Sequence, residues 1–233
     1  MEYFNPTDTD NLQRTFENKK FWLFDLDNTL YPPSCRLFDQ VDRNITNYIS
    51  KYLELEWDVA YRLQKSFFKK YGTTMRGLMI EHGINPNHFL ECVHDIDLSP
   101  VPPNPELAKA LAQLKGRKII FTNGSVEHAE NVMIRLGVHD QFETVFDIVA
   151  SDFQPKPERI AYDNLVREHA IDSQDSVMIE DMARNLKPAH EMGMTCVWVR
   201  SDNHWATEAV EDGHIDYVID DLTLWLRVLT GAD

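Results

Sequence analysis

Basic residues are scarce in this 233-residue chain: 23 lysines and arginines face 38 aspartates and glutamates, a formal net charge of −15. Such a chain repels phosphate backbones and anionic lipid headgroups, so neither nucleic acid nor a membrane surface is an expected partner. An anionic substrate would need specific Lys or Arg residues, or a metal, to receive it. Cysteine is sparse too. Cys35, Cys92 and Cys196 lie far apart with no Cys-x-x-Cys pair, which suits a reducing compartment. No apolar run is long enough to span a bilayer. The polar opening MEYFNPTDTDNLQRTFENKK has no signal-peptide core, and the expected location is the cytoplasm. There is no Gly-x-x-x-x-Gly-Lys, no Gly-x-Gly-x-x-Gly and no Gly-x-Ser-x-Gly, which counts against P-loop, dinucleotide and serine-hydrolase chemistry. His82, His88 and His94 recur every six residues, which fits no zinc pattern and reads as surface or interhelical histidine.

What is present starts at Phe21–Tyr31, FWLFDLDNTLY. Four apolar residues running into Asp25-Leu26-Asp27-Asn28-Thr29 read as a buried strand leaving a sheet. On a regular strand, carboxylates two apart face the same side. Two carboxylates together repel unless a cation or a shared proton offsets them, so the pair points to a hard-cation site or an acid/base site. The plainer reading is an acidic turn capping the next helix.

With 43% hydrophobic residues the chain can bury a sizeable core. Residues 1–18 read as a flexible N-terminal tail. From 34 to 99 the apolar spacing is helical throughout: Phe38, Val41, Ile45 and Ile49, then Val59, Leu63, Phe67 and Tyr71, then a helix capped by Thr73 or Thr74, then one opened by Asn85-Pro86. Pro100-Val101-Pro102-Pro103-Asn104-Pro105 is stiff and marks a boundary. Beyond it strands alternate with helices: 118–121, 145–149, 176–179, 195–199 and 217–219 read as strands. This predicts an α/β core of residues 19–33 and 100–233, a parallel sheet with helices on both faces, and a helical insert of residues 34–99.

In open α/β sheets ligands bind at the carboxyl ends of strands. The strand ends here carry Asp25 and Asp27, then Thr122-Asn123-Gly124-Ser125, then Ser151 to Pro157 with Lys156 between two prolines, then Glu180-Asp181. Each has a plain alternative: Thr122 as a helix cap, Lys156 as a solvated loop lysine, Glu180 and Asp181 as first-turn acids. Taken together and in this order, they resemble the four motifs of the haloacid dehalogenase-like hydrolase superfamily. The resemblance covers the chain from Phe21 onward and implies a Rossmann-like core hydrolysing phosphomonoesters. It implies Asp25 as nucleophile forming an aspartyl-phosphate and Asp27 as general acid and base. It implies Mg2+ held by the Asp25 carboxylate, the Asp27 carbonyl and Asp181, with Glu180 acting through water. Thr122, Asn123 and Gly124 are then expected to bind the phosphate oxygens, with Lys156 neutralising them. The family's dehalogenases lack the second aspartate, so Asp27 argues for a phosphatase. Asn28 stands where many relatives carry Gly.

The insert resembles the family's cap domain, which covers the site and reads the leaving group. Asp-Leu-Asp-Asn-Thr-Leu-Tyr-Pro with Tyr71-Gly72-Thr73-Thr74 is most similar to the pyrimidine 5′-nucleotidase branch. That implies a nucleoside monophosphate such as UMP or CMP as the small-molecule partner, handled by a monomer or homodimer. Phosphoglycolate or a sugar phosphate is the alternative, and a regulatory binding protein with a vestigial site is a third reading. Arg76 is the candidate substrate contact on the insert, against the plainer reading of a surface arginine. Phe67, Phe68 and Tyr71 fit a helix core better than a base-stacking wall.

Overall fold

A computed structural model describes residues 1–201 and 206–232 and builds them around one parallel sheet. Its strands are β1 (Glu2–Tyr3), β2 (Phe21–Phe24), β3 (Arg117–Phe121), β4 (Thr144–Phe146), β5 (Ser176–Glu180), β6 (Thr195–Val199) and β7 (Tyr217–Ile219). Across the sheet the order is β1-β7-β6-β5-β2-β3-β4, and every pairing is parallel. From β2 the chain builds outward to β3 and β4, then crosses to β5 and builds the other way. The central β2, between β5 and β3, is therefore the topological switch point, and its carboxyl end is the natural binding crevice.

The helices are α1 (Thr9–Phe16), α2 (Leu37–Tyr52), α3 (Trp57–Tyr71), α4 (Thr74–His82), α5 (Pro86–Val93), α6 (Pro105–Gln113), α7 (Val126–Leu136), α8 (Arg159–Glu168), α9 (Ala183–Glu191) and α10 (Leu222–Thr230). Trp22 and Phe24 point to one face of the sheet, where they pack with α1, α6, α7 and α10. Leu23 points to the other, against α8 and α9. A sheet covered on both faces needs strands that are apolar on both, which is why FWLF shows no polar alternation.

The helices α2 to α5 fall between β2 and β3 and pack around a cluster of their own that includes Val41, Ile49, Phe67, Leu78 and Phe89. The Thr73 hydroxyl accepts the Arg76 amide to start α4, and Asn85 caps α5. Gly72, at φ 83°, closes α3.

Two sequence expectations need correction. Residues 1–18 are not a flexible tail: β1 pairs with β7, and α1 buries Leu12 and Phe16. The Phe16 ring lies 5.9 Å from Trp22, 5.2 Å from Tyr217 and 5.3 Å from Trp225. Two apolar residues four apart suffice for a helix when three distant aromatics await them, and those are invisible to a local reading. The strand expected over 145–149 is Thr144–Phe146. It ends because the Asp147 carboxylate accepts the amides of Val126, at 2.9 Å, and Ala150, at 2.8 Å, turning the chain away.

Emptying the Phe16 site is expected to cost about 3–5 kcal/mol of unfolding free energy in Phe16→Ala. Urea unfolding measures it, and a loss under ~1 kcal/mol would mean that the N-terminus does not pack as described.

Candidate active site

The ends of β2, β3 and β5 meet around one buried ammonium group. Asp25 extends β2 by a further ladder bond, its amide donating to the Ile179 carbonyl at 2.9 Å. The chain then turns through Asn28, whose φ of 63° is left-handed; asparagine tolerates that region, so it can stand where glycine is common. The turn brings the Thr29 hydroxyl to Asp25 Oδ2 at 2.8 Å, and Lys156 Nζ donates to Asp25 Oδ1 at 2.8 Å. Lys156 also donates to Glu180 Oε2 at 2.6 Å and to the Phe121 carbonyl at 2.8 Å, which uses all three of its protons. Its side chain is 1% exposed, so it is no solvated loop lysine.

The sequence-predicted residues divide by what they touch. Asn123 clamps the Lys156 loop: its Oδ1 accepts the Lys156 amide at 2.8 Å and its Nδ2 donates to the Lys156 carbonyl at 3.2 Å. Thr122 is buried, and its Oγ1 accepts the Gly124 amide at 2.9 Å, shaping the turn after β3. The helix cap is Ser125, not Thr122. Asp25, Glu180 and Asp181 are all buried, with ligating oxygens within 4.8 Å of one another.

Three carboxyls facing one ammonium leave negative charge uncompensated. Burial, then Glu180, pushes Asp25 up to about 7 against the pull of Lys156. Burial, then Glu180 and Asp25, pushes Asp181 well above the ordinary carboxyl range. Burial alone would discharge Lys156, but Asp25 and Glu180 raise it, so it stays charged. An all-oxygen donor set short of positive charge fits a hard divalent cation. A second group, His190, Cys196 and Asp216, lies at the opposite end of the strands. It closes on itself: the Cys196 thiol donates to the Leu186 carbonyl at 3.4 Å, and Asp216 accepts the Cys196 amide at 2.8 Å.

Asp27 shares no hydrogen-bond partner with Asp25. The strand ends at Phe24, so the two-residue alternation no longer governs position 27. Asp27 Oδ1 accepts from Tyr31 Oη at 2.5 Å and from His128 Nε2 at 2.8 Å. Burial would raise Asp27, yet His128 and Tyr31 outweigh it and hold the group at about 2. Asp27 in turn raises His128 against its burial. His94, at the end of α5, stacks on His128 with ring centroids 4.3 Å apart and planes within 9°. The sequence reading missed Thr29, Tyr31 and His128 and dismissed His94. The usable signal was that His128 stands in the first turn of the helix leaving the β3 strand end.

The Arg76 guanidinium pairs with Glu158 at 2.9 Å, two residues beyond Lys156. Nearby, Arg184 of α9 lies over the Phe68 ring at 4.7 Å and reaches the Gly72 carbonyl at 3.5 Å. The insert thus rests on the loops that carry Lys156 and Asp181. Phe67 is buried in the insert's own core, edge-on to Tyr71.

A model of the haloacid dehalogenase-like hydrolases matches residues 20–193. Phosphate metabolism protein 8 of Saccharomyces cerevisiae is 26% identical over 197 residues, covering 76% of this chain and 60% of that protein, so this chain spans less than two thirds of its length. Glyceraldehyde 3-phosphate phosphatase of Pyrococcus furiosus is 26% identical over 228 residues, covering 90% of this chain and 92% of that protein. Among solved structures, L-2-haloacid dehalogenase of Xanthobacter autotrophicus, with chloropropionic acid covalently bound, superposes with a TM-score of 0.55 at 15% identity, covering 92% of this chain and all of that one. That likeness speaks for the fold alone. No helix among the described residues is long and apolar enough to cross a membrane.

The acid cluster makes stability fall as pH rises. Asp25 keeps a proton in the folded state that the unfolded chain, at 3.8, has released; its contribution is complete below 3.8 and lost on rising through about 7. His128, raised above its ordinary value, acts in the same direction. In chelator, Asp25→Asn is therefore expected to raise Tm at pH 8 relative to the unaltered protein, and by less at pH 5. A gain that is equal at both pH values, or absent, would contradict the assignment.

Proposed function

This chain belongs to the haloacid dehalogenase-like hydrolases, and from that membership we propose that it is a magnesium-dependent phosphomonoester hydrolase working through an aspartyl-phosphate on Asp25. The observation that carries this reading is the Asp25 carboxylate itself: buried, fixed at both oxygens by Thr29 and Lys156, and set in a cluster that calls for a cation. Asp25 attacks phosphorus as the ester P–O bond breaks, and water then attacks the phosphorus of the aspartyl-phosphate, breaking its P–O bond to Asp25 and releasing phosphate. Asp27 gives a proton to the departing oxygen and takes one from the water. As the structure stands Asp27 is ionised, the form that serves the second step. A phosphate dianion beside it raises a carboxyl's pKa and favours the acid form needed in the first. Mg2+, held by Asp25 and Asp181 with Glu180 behind them, would supply charge neutralisation of the phosphate. Lys156 fixes Asp25 Oδ1, and the Asn123 amide is the one left in the Thr122–Gly124 turn to receive a phosphate oxygen, since the Thr122 and Gly124 amides donate to the Phe146 carbonyl and the Thr122 hydroxyl. The Asp27 carboxylate supports a phosphatase over a dehalogenase, since a departing halide needs no proton.

For the leaving group we propose a pyrimidine nucleoside monophosphate, supported by the resemblance of the Asp25–Pro32 and Tyr71–Thr74 stretches. A second reading, a triose phosphate or similarly small ester, is favoured by the archaeal glyceraldehyde 3-phosphate phosphatase that aligns along 90% of the chain. The enclosure of Phe67 favours it as well, because it removes a ring on which a base could stack.

Two measurements test this. Asp25→Asn is expected to lower turnover roughly a thousandfold or more, with a chelator doing the same to the unaltered protein. Full activity in either case sinks the mechanism. In a comparison of kcat/KM for UMP, CMP, AMP, phosphoglycolate and glyceraldehyde 3-phosphate, the nucleotidase reading expects UMP or CMP to lead. A lead of tenfold or more by a non-nucleotide, about 1.4 kcal/mol, replaces it with the second reading.

A further inference from the structure

Asp27 is supported in a way its chemistry alone does not require. Tyr31 and His128 both hold Oδ1, and among the described residues no hydrogen bond reaches Oδ2. The carboxylate is thus anchored by one oxygen and presents the other. His128 is itself fixed from three sides. Its amide donates to Ser125 Oγ at 3.3 Å, which sets it in the first turn of α7. The His94 ring covers it in a parallel stack, with His94 Nδ1 3.0 Å from the same Ser125 Oγ. Gly124 passes close by: a Cβ there would lie 3.3 Å from His128 Cδ2 and 3.7 Å from His94 Cε1. The side chain of His128 is 1% exposed, and among the described residues Asp27 is its one side-chain hydrogen-bond partner. A buried ring of this kind, pinned by backbone, stack and wall, fixes what its Nε2 points at.

We propose that His128 is a positioning residue that orients the Asp27 carboxylate, and that His94, carried by the helical insert, holds His128 in place and so ties the seating of the insert to the geometry of proton exchange. This rests on the reading of Asp27 as the acid and base. Because the insert supplies His94, the His128 donor on Asp27 depends on how it sits, while Tyr31 is held in the core that packs against the sheet. An insert that shifts loosens Asp27 without touching Asp25.

The effect should appear where a departing oxygen needs a proton. The comparison uses kcat/KM, which covers the steps through ester cleavage, for dinitrophenyl phosphate and for an alkyl ester. The alkyl ester is UMP or glyceraldehyde 3-phosphate, whichever the unaltered protein turns over faster. Dinitrophenolate leaves without a proton and an alkoxide does not, so His128→Ala is expected to lower the alkyl ester's value roughly tenfold or more beyond its effect on the aryl ester. His128→Gln places a terminal N–H near the Nε2 position and is expected to recover most of that difference. It also decides the matter should the alanine variant not fold, as judged by circular dichroism. His94→Ala is expected to show the same bias at smaller size. Equal losses on the two esters, or a glutamine variant as biased as alanine, would overturn the positioning role. Should the unaltered protein hydrolyse neither ester with magnesium, the phosphatase reading falls and takes this inference with it. Turnover of both, with no bias in the variants, removes the inference alone.

Discussion

The structure turns on the Lys156 ammonium, buried with its three protons shared among Asp25, Glu180 and the Phe121 carbonyl. A lysine taken this far from water costs several kcal/mol unless it is fully paired, so everything around it must hold its position. The Asn123 amide clamps the Lys156 backbone from the β3 side. The Ser151 hydroxyl closes the loop that precedes it, its one proton shared between the Ile148 carbonyl at 2.9 Å and the Gln154 carbonyl at 2.8 Å. Because one ammonium cannot balance Asp25, Glu180 and Asp181 when all three are ionised, the arrangement calls for bound protons or a further cation. The same imbalance accounts for the raised Asp25 and Asp181 and for the fit to a divalent cation.

Sheet topology puts that ammonium where it is. β2 lies at the point where the strand order reverses, so its carboxyl end opens between β3 and β5, and the loops after β3, β4 and β5 converge there. The four helices of the insert leave from this end and return over it. Their contacts fall on functional loops: Arg76 on Glu158, Phe68 and Gly72 on Arg184, His94 on His128. Surface ion pairs such as Arg76–Glu158 contribute little individually. Of the stacked histidines His128 is buried and His94 half-buried, and they join the insert to Asp27.

Much of this was legible in the sequence, for identifiable reasons. The FWLF run, Gly72, Thr73 and Asn85-Pro86 are local signals with local causes, and the elements appear close to where those signals place them. The polar strand ends gave Asp25, Lys156, Glu180 and Asp181, which the fold brings together. What was not legible depends on distant partners. Leu12 and Phe16 look like stray apolar residues until Trp22, Tyr217 and Trp225 surround them. His94 and His128 are 34 positions apart, and nothing in either neighbourhood announces a stack. Arg76 looked available because its partner, Glu158, sits in another part of the chain.

The central claim is that Asp25 carries the phosphoryl group during turnover. The direct measurement is a rapid acid quench of enzyme mixed with magnesium and a phosphomonoester it hydrolyses, followed by mass spectrometry of the intact protein and its peptides. The account predicts a transient mass increase of one phosphoryl group, mapped to the peptide that contains Asp25 and decaying as phosphate is released. Turnover at full rate with no phosphorylated protein at any quench time, or with the group on another residue, would contradict it.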